Sequence, residues 1–441
     1  MTHDISKPKI AMIGAGSAVF SFQTFHDIVS SPELEDCEVC LMDINEERLK
    51  FAYKVVERLV EGSTRKIRVE MTTNRKKALE GADFVIVSIE RDRKKTWTLD
   101  WEIPVKYGIR QVIGECGGPG GLSHTLRVVP DILDICRDME DLCPNALLLN
   151  YTNPEGRVCL AITRYSKIKA VGLCPGIYEQ LESISKIMNV DPRKLTAMAY
   201  GLNHFTWIKS LRFKEGGDAY PLLKDALERN PEFQPLCREL FKWFALYPSP
   251  SDTHVGEYVP YGWEFCPEEE RGLNWINKHF KWTEHMQSLA ERLVSGDLSF
   301  NEADRILKGH FVKGQAINVI KAIVADKPYL ELAVNIPNQG NITNLPEGVI
   351  VEAPALIDGS GVHGLSMGDL PKPIAALCNI QVTIQELAVE AAVTGSYEIA
   401  LQALLIDPVV QSVDAAKKAL DELLNVHAPY LPQFKSKNQK G

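Results

Sequence analysis

The chain has 441 residues, of which 45% are hydrophobic and 24% charged, a balance that excludes a largely disordered chain and predicts roughly two to three domains at about 150 residues each. A formal net charge of -9 argues against nucleic acid as a partner. No run reaches the roughly 20 apolar residues that cross a bilayer, and a short polar start runs straight into an apolar segment, so no membrane partner and a cytoplasmic location are expected.

Residues 9–13 form a short apolar run that ends at Gly14-Ala15-Gly16. Further runs at 39–42, 84–88, 147–150 and 170–173 alternate with helical patterns at 22–30, 46–61 and 126–138. Near-continuous apolar strands separated by helices predict a parallel sheet covered on both faces, so the fold class is α/β, with a Rossmann-like doubly wound domain over residues 1–200. Residues 201–441 predict an α+β substrate, metal and oligomerisation domain. It is mixed and aromatic over 209–250, helix-rich over 275–327, irregularly stranded over 335–362 and a long helix over 380–405, before a polar tail from 433 to 441. Ten cysteines are too few for a disulfide scaffold and read as free thiols. Cys37 and Cys40 have the spacing of a redox or zinc pair, but no second pair follows and 39–42 reads as a strand, which puts them on opposite faces.

Gly14-Ala15-Gly16-Ser17-Ala18-Val19 follows a strand and opens a helix, the order in which a pyrophosphate rests on a helix N-terminus. Val19 replaces the third glycine of the usual fingerprint. Asp43 ends the second strand, where a carboxylate accepts hydrogen bonds from the adenosine ribose and favours NAD over NADP. Phe20 in the opening helical turn, with Ser88, Glu90 and Asn150 at later strand ends, completes the expected cofactor crevice.

Four more segments fall at strand ends: the loop of 114–121, the stretch of 150–154, Cys174-Pro175-Gly176, and Gly201-Leu202-Asn203-His204. The first is so rich in glycine that it reads as flexible. A thiolate and an imidazole brought together there hold a divalent transition metal, against the plainer readings of a buried thiol at Cys174 and a satisfied core ring at His204.

Taken with Lys106-Tyr107-Gly108, Glu257-Tyr258-Val259-Pro260, Asn335-Ile336-Pro337-Asn338 and Val351-Glu352-Ala353-Pro354, these motifs resemble glycoside hydrolase family 4 over nearly the whole length. The resemblance implies a relative of lactate and malate dehydrogenases that cleaves glycosidic bonds with NAD and Mn²⁺ or another divalent metal. In such a reaction the sugar is oxidised at C3, deprotonated at C2, relieved of its C1 leaving group, hydrated and reduced again. Carried over by position, the resemblance implies Cys174 and His204 as metal ligands, Asn153 and Asn203 as substrate contacts and Asp252 as the base, with Tyr258 or Tyr261 as substitutes. It also implies a homodimer or homotetramer.

Two departures bear on the substrate. Pro175 stands where many members carry a polar residue, which leaves Glu115 as the candidate acid. The segment 88–94 lacks the arginine-glycine-glycine pattern of phosphosugar enzymes, and its Arg91 and Arg93 instead suit a carboxylate or sulfonate. The reading is therefore an unphosphorylated α-hexoside, with uronides and sulfosugars among the candidates. The alternatives are an NAD-dependent dehydrogenase of a hydroxy acid or polyol and a nucleotide-sensing protein without chemistry.

Overall fold

A computed structural model describes residues 7–63, 65–309 and 314–435. Most of the polar tail, 436–441, lies outside the described residues. Apolar runs form the first strands because a strand buried on both faces needs no polar alternation. β1 (Lys9–Ile13), β2 (Glu38–Met42), β3 (Arg68–Thr72), β4 (Phe84–Val87), β5 (Leu147–Asn150) and β6 (Lys169–Gly172) pair in parallel in the order β3-β2-β1-β4-β5-β6. β3 was not among the expected strands. It is the exposed edge of the sheet, and its Arg68, Glu70 and Thr72 give it no apolar run to read.

The second half extends the same sheet. β7 (Leu195–Leu202), β8 (Phe205–Phe213), β9 (Tyr247–Ser249), β10 (Tyr329–Pro337) and β11 (Ile350–Asp358) continue it antiparallel as β6-β10-β11-β7-β8-β9, and β12 (Gly361–Gly364) pairs with β11. The expected irregular strands of 335–362 are thus regular ones, seated between β6 and β7. One register row crosses the sheet: Thr72, Met42, Ile13, Val87, Asn150, Gly172, Asn335, Glu352, Gly201, Thr206 and Ser249 are successive partners. Just beyond this row the parallel strands release their C-terminal loops, the edge at which open α/β sheets take ligands.

Helices from both halves cover the sheet. On one face Phe22, Phe25, Leu49 and Val56 pack with Leu289, Leu293, Ile317 and Ile320; on the other Leu126, Ile132 and Val158 pack with Ala388, Val389 and Leu404. Fully burying one such large side chain stabilises the fold by about 1.5–3 kcal/mol. The charged segment after β4 leads into a helix, Arg93–Lys106. One other expectation changes: the long helix of 380–405 is two, Lys372–Thr394 and Tyr397–Leu405, broken where Gly395 takes φ +65°. Cys37 and Cys40 are both free and buried. Among the described residues, no helix is long and apolar enough to cross a membrane.

Candidate active site

The turn after β1 is built from backbone. Gly14 sits at φ +91°, and a Cβ there would run into the carbonyl of Ser88, so only glycine fits. The amides of Gly14 and Ala15 donate to Met42 O at 2.9 and 3.0 Å. The Gly16 amide donates to Asp43 Oδ2 at 2.9 Å, while Asp43 Oδ1 accepts from the Asn45 amide at 2.8 Å. Each carboxylate oxygen keeps a lone pair for a further donor. Ser17 is exposed, and the helix Ala18–Val29 begins behind it. The side chains of Ala18, Val19 and Phe20 lie outside the described residues. Asn150 holds the loop after β5, donating to Thr152 O at 2.9 Å and accepting from Thr152 N at 3.1 Å, and Thr152 Oγ1 accepts from the Ile89 amide at 3.0 Å.

The glycine-rich segment expected to be a flexible loop is buried throughout, and Gly118 to Gly121 form the first turn of the helix Gly118–Leu142. Its glycines serve close approach: a Cβ on Gly121 would collide with the backbone of Cys116, and one on Gly120 with that of Gly114. Gln111 Oε1 accepts from the Gly120 amide at 3.0 Å. Glu257 accepts from the amides of Glu115 (2.7 Å) and Cys116 (3.2 Å), fixing both residues.

Glu115 is the centre of this arrangement. Its Oε1 accepts from Asn153 Nδ2 at 3.1 Å and pairs with Arg93. Burial opposes its ionisation, but Arg93 and the rings of His204, His254 and His279 outweigh that, so its carboxyl is held well below the usual carboxylate range. Burial, reinforced by Glu115, has the opposite result on Glu257, which is pushed up to about 8. Glu90 lies 2.6 Å from His124 Nε2 and 3.1 Å from Arg93 Nη1. Although Glu90 is itself penalised by burial, those two partners hold it at about 2.

His204 occupies the two-residue turn between β7 and β8 at φ +60°, an uncommon conformation for a residue with a Cβ and one that clusters at functional sites. Its ring stands edge-on to His254 at 4.6 Å, and its Nδ1 has no hydrogen-bond partner although buried. Burial, with His254 beside it, lowers its pKa to about 3, so the ring is a neutral imidazole with a lone pair to offer. One donor atom each from Glu115, Cys116 and His204 lie within 4.8 Å of one another, all three residues buried.

Cys174 is also buried, beside Glu155 and Glu352 and close enough to Cys116 to raise its pKa. Asn203 donates to Glu352 at 2.9 Å and to Glu155 at 3.4 Å, Asn335 donates to Glu352 at 3.1 Å, and Asn203 Oδ1 is left without a partner. Burial pushes Glu352 up to about 7, and burial plus Glu352 raises Glu155 well above its ordinary range, so the pair holds at least one proton.

The remaining expected residues lie differently. The two oxygens of Asp252 accept from the amides of Leu236 (3.1 Å) and Cys237 (2.9 Å) and cap the helix Pro235–Phe244. Each oxygen keeps a further lone pair, through which a role as base would have to act. Tyr258 is buried and stacked on Phe205 at 5.3 Å, and burial raises its phenol well above the usual range. Arg91 pairs through two bonds of 2.7 and 2.8 Å with Asp131 on the surface, and Arg93 is shared between Glu90 and Glu115 over the ring of Trp97. Each guanidinium that was expected to meet an anionic sugar substituent therefore already has its carboxylate. Pro175 precedes the helix Gly176–Met188 as its N-cap. Sequence reasoning did not assign Cys116, His254 or the loop-fixing Glu257. Glu257 and Cys116 lay inside quoted motifs, whereas His254 gave no signal beyond standing two residues after Asp252.

A dinucleotide-type parallel sheet with a buried carboxylate, thiol and imidazole at its strand ends defines an enzyme of the redox-equipped α/β class. The family 4 glycosyl hydrolase model matches residues 9–190, and the model for the C-terminal domain of that family matches 199–410. The chain is 33% identical to an alpha-glucosidase of Erwinia rhapontici, over 97% of this chain and 99% of that one. It is 32% identical to an alpha-galactosidase of Rhizobium meliloti, over 97% and 89%. Among solved structures, the 6-phospho-beta glucosidase of Thermotoga maritima, determined with manganese, NAD⁺ and glucose-6-phosphate, superposes with a TM-score of 0.80 at 25% identity, covering 96% of this chain and 99% of that one. The chain belongs to glycosyl hydrolase family 4 and is a hydrolase of glycosidic bonds.

Proposed function

We propose that the chain is an NAD- and Mn²⁺-dependent α-glycosidase acting on an unphosphorylated, neutral hexoside. The observation that carries this reading is the convergence of Glu115, Cys116 and His204 within 4.8 Å at the sheet edge that also carries the dinucleotide turn. The residues present fit both groups. The turn Gly14-Ala15-Gly16 leads into the helix Ala18–Val29, whose N-terminal end suits a pyrophosphate, and Asp43 retains acceptor capacity for a ribose. His204 is neutral and unpartnered at Nδ1.

Gly14, Gly16 and Ser17, with the first turn formed by Ala18, Val19 and Phe20, would hold the pyrophosphate, and Asp43 the ribose; Ser88, Glu90 and Asn150 would border the nicotinamide side. His204 and Cys174 would hold the cation. When bound, the dinucleotide would supply a hydride acceptor and the cation would supply positive charge to stabilise oxygen-centred negative charge. The chain's own groups set the rest. We infer that Glu115, paired with Arg93, accepts protons or balances positive charge rather than serving as the acid. Asn153 and Asn203 present side-chain amides for sugar hydroxyls, the latter through its unpartnered Oδ1. Burial of the whole cluster excludes water and strengthens each of these interactions.

Neutrality of the sugar is supported by the pairing of Arg91 and Arg93 with their own carboxylates. The α configuration is supported by the alpha-glucosidase and alpha-galactosidase relatives. A panel of α- and β-glucosides, galactosides, galacturonides, sulfoquinovosides and 6-phosphosugars, assayed with Mn²⁺ and NAD⁺ in D₂O, tests the proposal. The expected result is preference for a neutral α-hexoside, deuterium at C2 of the product and no accumulation of NADH. Stoichiometric NADH, or equal hydrolysis without added or retained NAD⁺, would overturn it.

A further inference from the structure

We propose that Cys116, from the glycine-rich loop, is a thiolate ligand of the same divalent cation as His204, with the carboxylate of Glu115 as the third donor. The inference rests on the reading above only for the identity of the site as a cation site. Its own grounds are geometric. The three donor atoms already lie within 4.8 Å of one another, which small side-chain movements close onto one ion. The residues are 5%, 3% and 6% exposed for Glu115, Cys116 and His204, so none is a solvated surface group. The buried His204 ring has no partner at Nδ1, and an uncompensated buried acceptor or donor is costly.

The loop is also held in place for the purpose. Glu257 takes the amides of both Glu115 and Cys116, and the first turn of the helix Gly118–Leu142 closes on the Cys116 backbone so tightly that Gly121 admits no Cβ. Such outside bonds preset ligand direction before an ion arrives. On binding, the Cys116 thiol releases its proton to solvent and the sulfur lone pair forms the bond to the cation; nothing is oxidised or reduced. A donor set of sulfur, nitrogen and oxygen suits a divalent first-row transition metal, and Cys174 nearby adds a second sulfur.

Anaerobic titration of the full chain with Co²⁺ tests this, because a thiolate bound to cobalt gives a near-ultraviolet charge-transfer absorption that a histidine or carboxylate does not. The wild-type chain, Cys116→Ser and Cys174→Ser are compared. Cys174→Ser is expected to retain thiolate-to-cobalt absorption, and Cys116→Ser to lose a distinct share of it and at least ~10-fold in Co²⁺ affinity. Complete loss of the absorption in Cys174→Ser, or an unchanged spectrum and affinity in Cys116→Ser, would overturn the proposal. Should Cys116→Ser fail to fold, the Cys174→Ser spectrum still decides. A wild-type chain that binds Co²⁺ through sulfur yet cleaves no glycoside would defeat the proposed activity and leave this assignment standing.

Discussion

The dinucleotide turn and the Glu115–His204 cluster share one edge of the sheet but are made of different material. The turn is backbone: two glycines, amide hydrogens and a single carboxylate, all within 30 residues of one another in the chain. The cluster is side chains drawn from a loop after one helix, a hairpin turn and the segment around Glu257, parts of the chain separated by up to 142 residues. A backbone site tolerates little substitution because the main chain itself must approach the ligand. A side-chain site is exchangeable atom by atom, and its protonation depends on burial and on neighbours.

The largest expected effect separates the two regions outright. His204→Ala should lower turnover on the order of 10²–10³-fold and weaken Mn²⁺ binding, while NAD⁺ affinity by fluorescence titration stays within about two-fold. Equal loss of both affinities would show that the two regions are one cooperative unit. Glu90→Gln attacks the carboxylate that shares Arg93 with Glu115. Removing the charged partner of His124 and Arg93 should destabilise the fold by about 1.5–3 kcal/mol in urea denaturation. Glu90 is held at about 2 against an ordinary 4.5, so its contribution is full above about pH 4.5 and is lost as pH falls towards 2. Between those pH values the acid limb of stability should be shallower in the variant; an unchanged limb would mean that Glu90 is not ionised there. Gly14→Ala forces a Cβ into a left-handed turn against the Ser88 carbonyl, at about 1–3 kcal/mol of strain, and should weaken NAD⁺ binding with little change in Mn²⁺ affinity.

The same contrast explains what the sequence made legible. Strand, glycine turn, helix, strand and acid are local, and each needs only its neighbours, so residues 9–43 fold as expected and Asp43 lands on the Gly16 amide. β3 escaped notice because an edge strand needs no apolar run. The glycine-rich loop was visible but misread as flexible, because its glycines permit close packing rather than freedom, a distinction set by what packs against them. Asp252 was legible by motif position, but the amides of Leu236 and Cys237, 16 and 15 residues earlier, which also bond its carboxylate, were not. Asp252→Asn should therefore lower stability by about 0.5–2 kcal/mol through a weakened helix cap, with turnover near wild type. Unchanged stability with a hundredfold loss of turnover would return it to the role of base.

The smallest effect belongs to Arg91, and its smallness is informative. An arginine poised for a carboxylate or sulfonate would have its planar fork unoccupied and facing the crevice. Here Nε and Nη2 meet Asp131, half-buried on the helix Gly118–Leu142, in a largely solvated pair that contributes about 0–1 kcal/mol. Arg91→Ala should leave kcat/KM for neutral and anionic α-hexosides alike within about two-fold and shift the thermal midpoint little. A loss confined to uronides or sulfosugars would mean that a bound anion outcompetes Asp131 for the guanidinium. The rim of the site would then be rebuilt by its substrate, and the neutral specificity inferred from the free chain would have to be withdrawn.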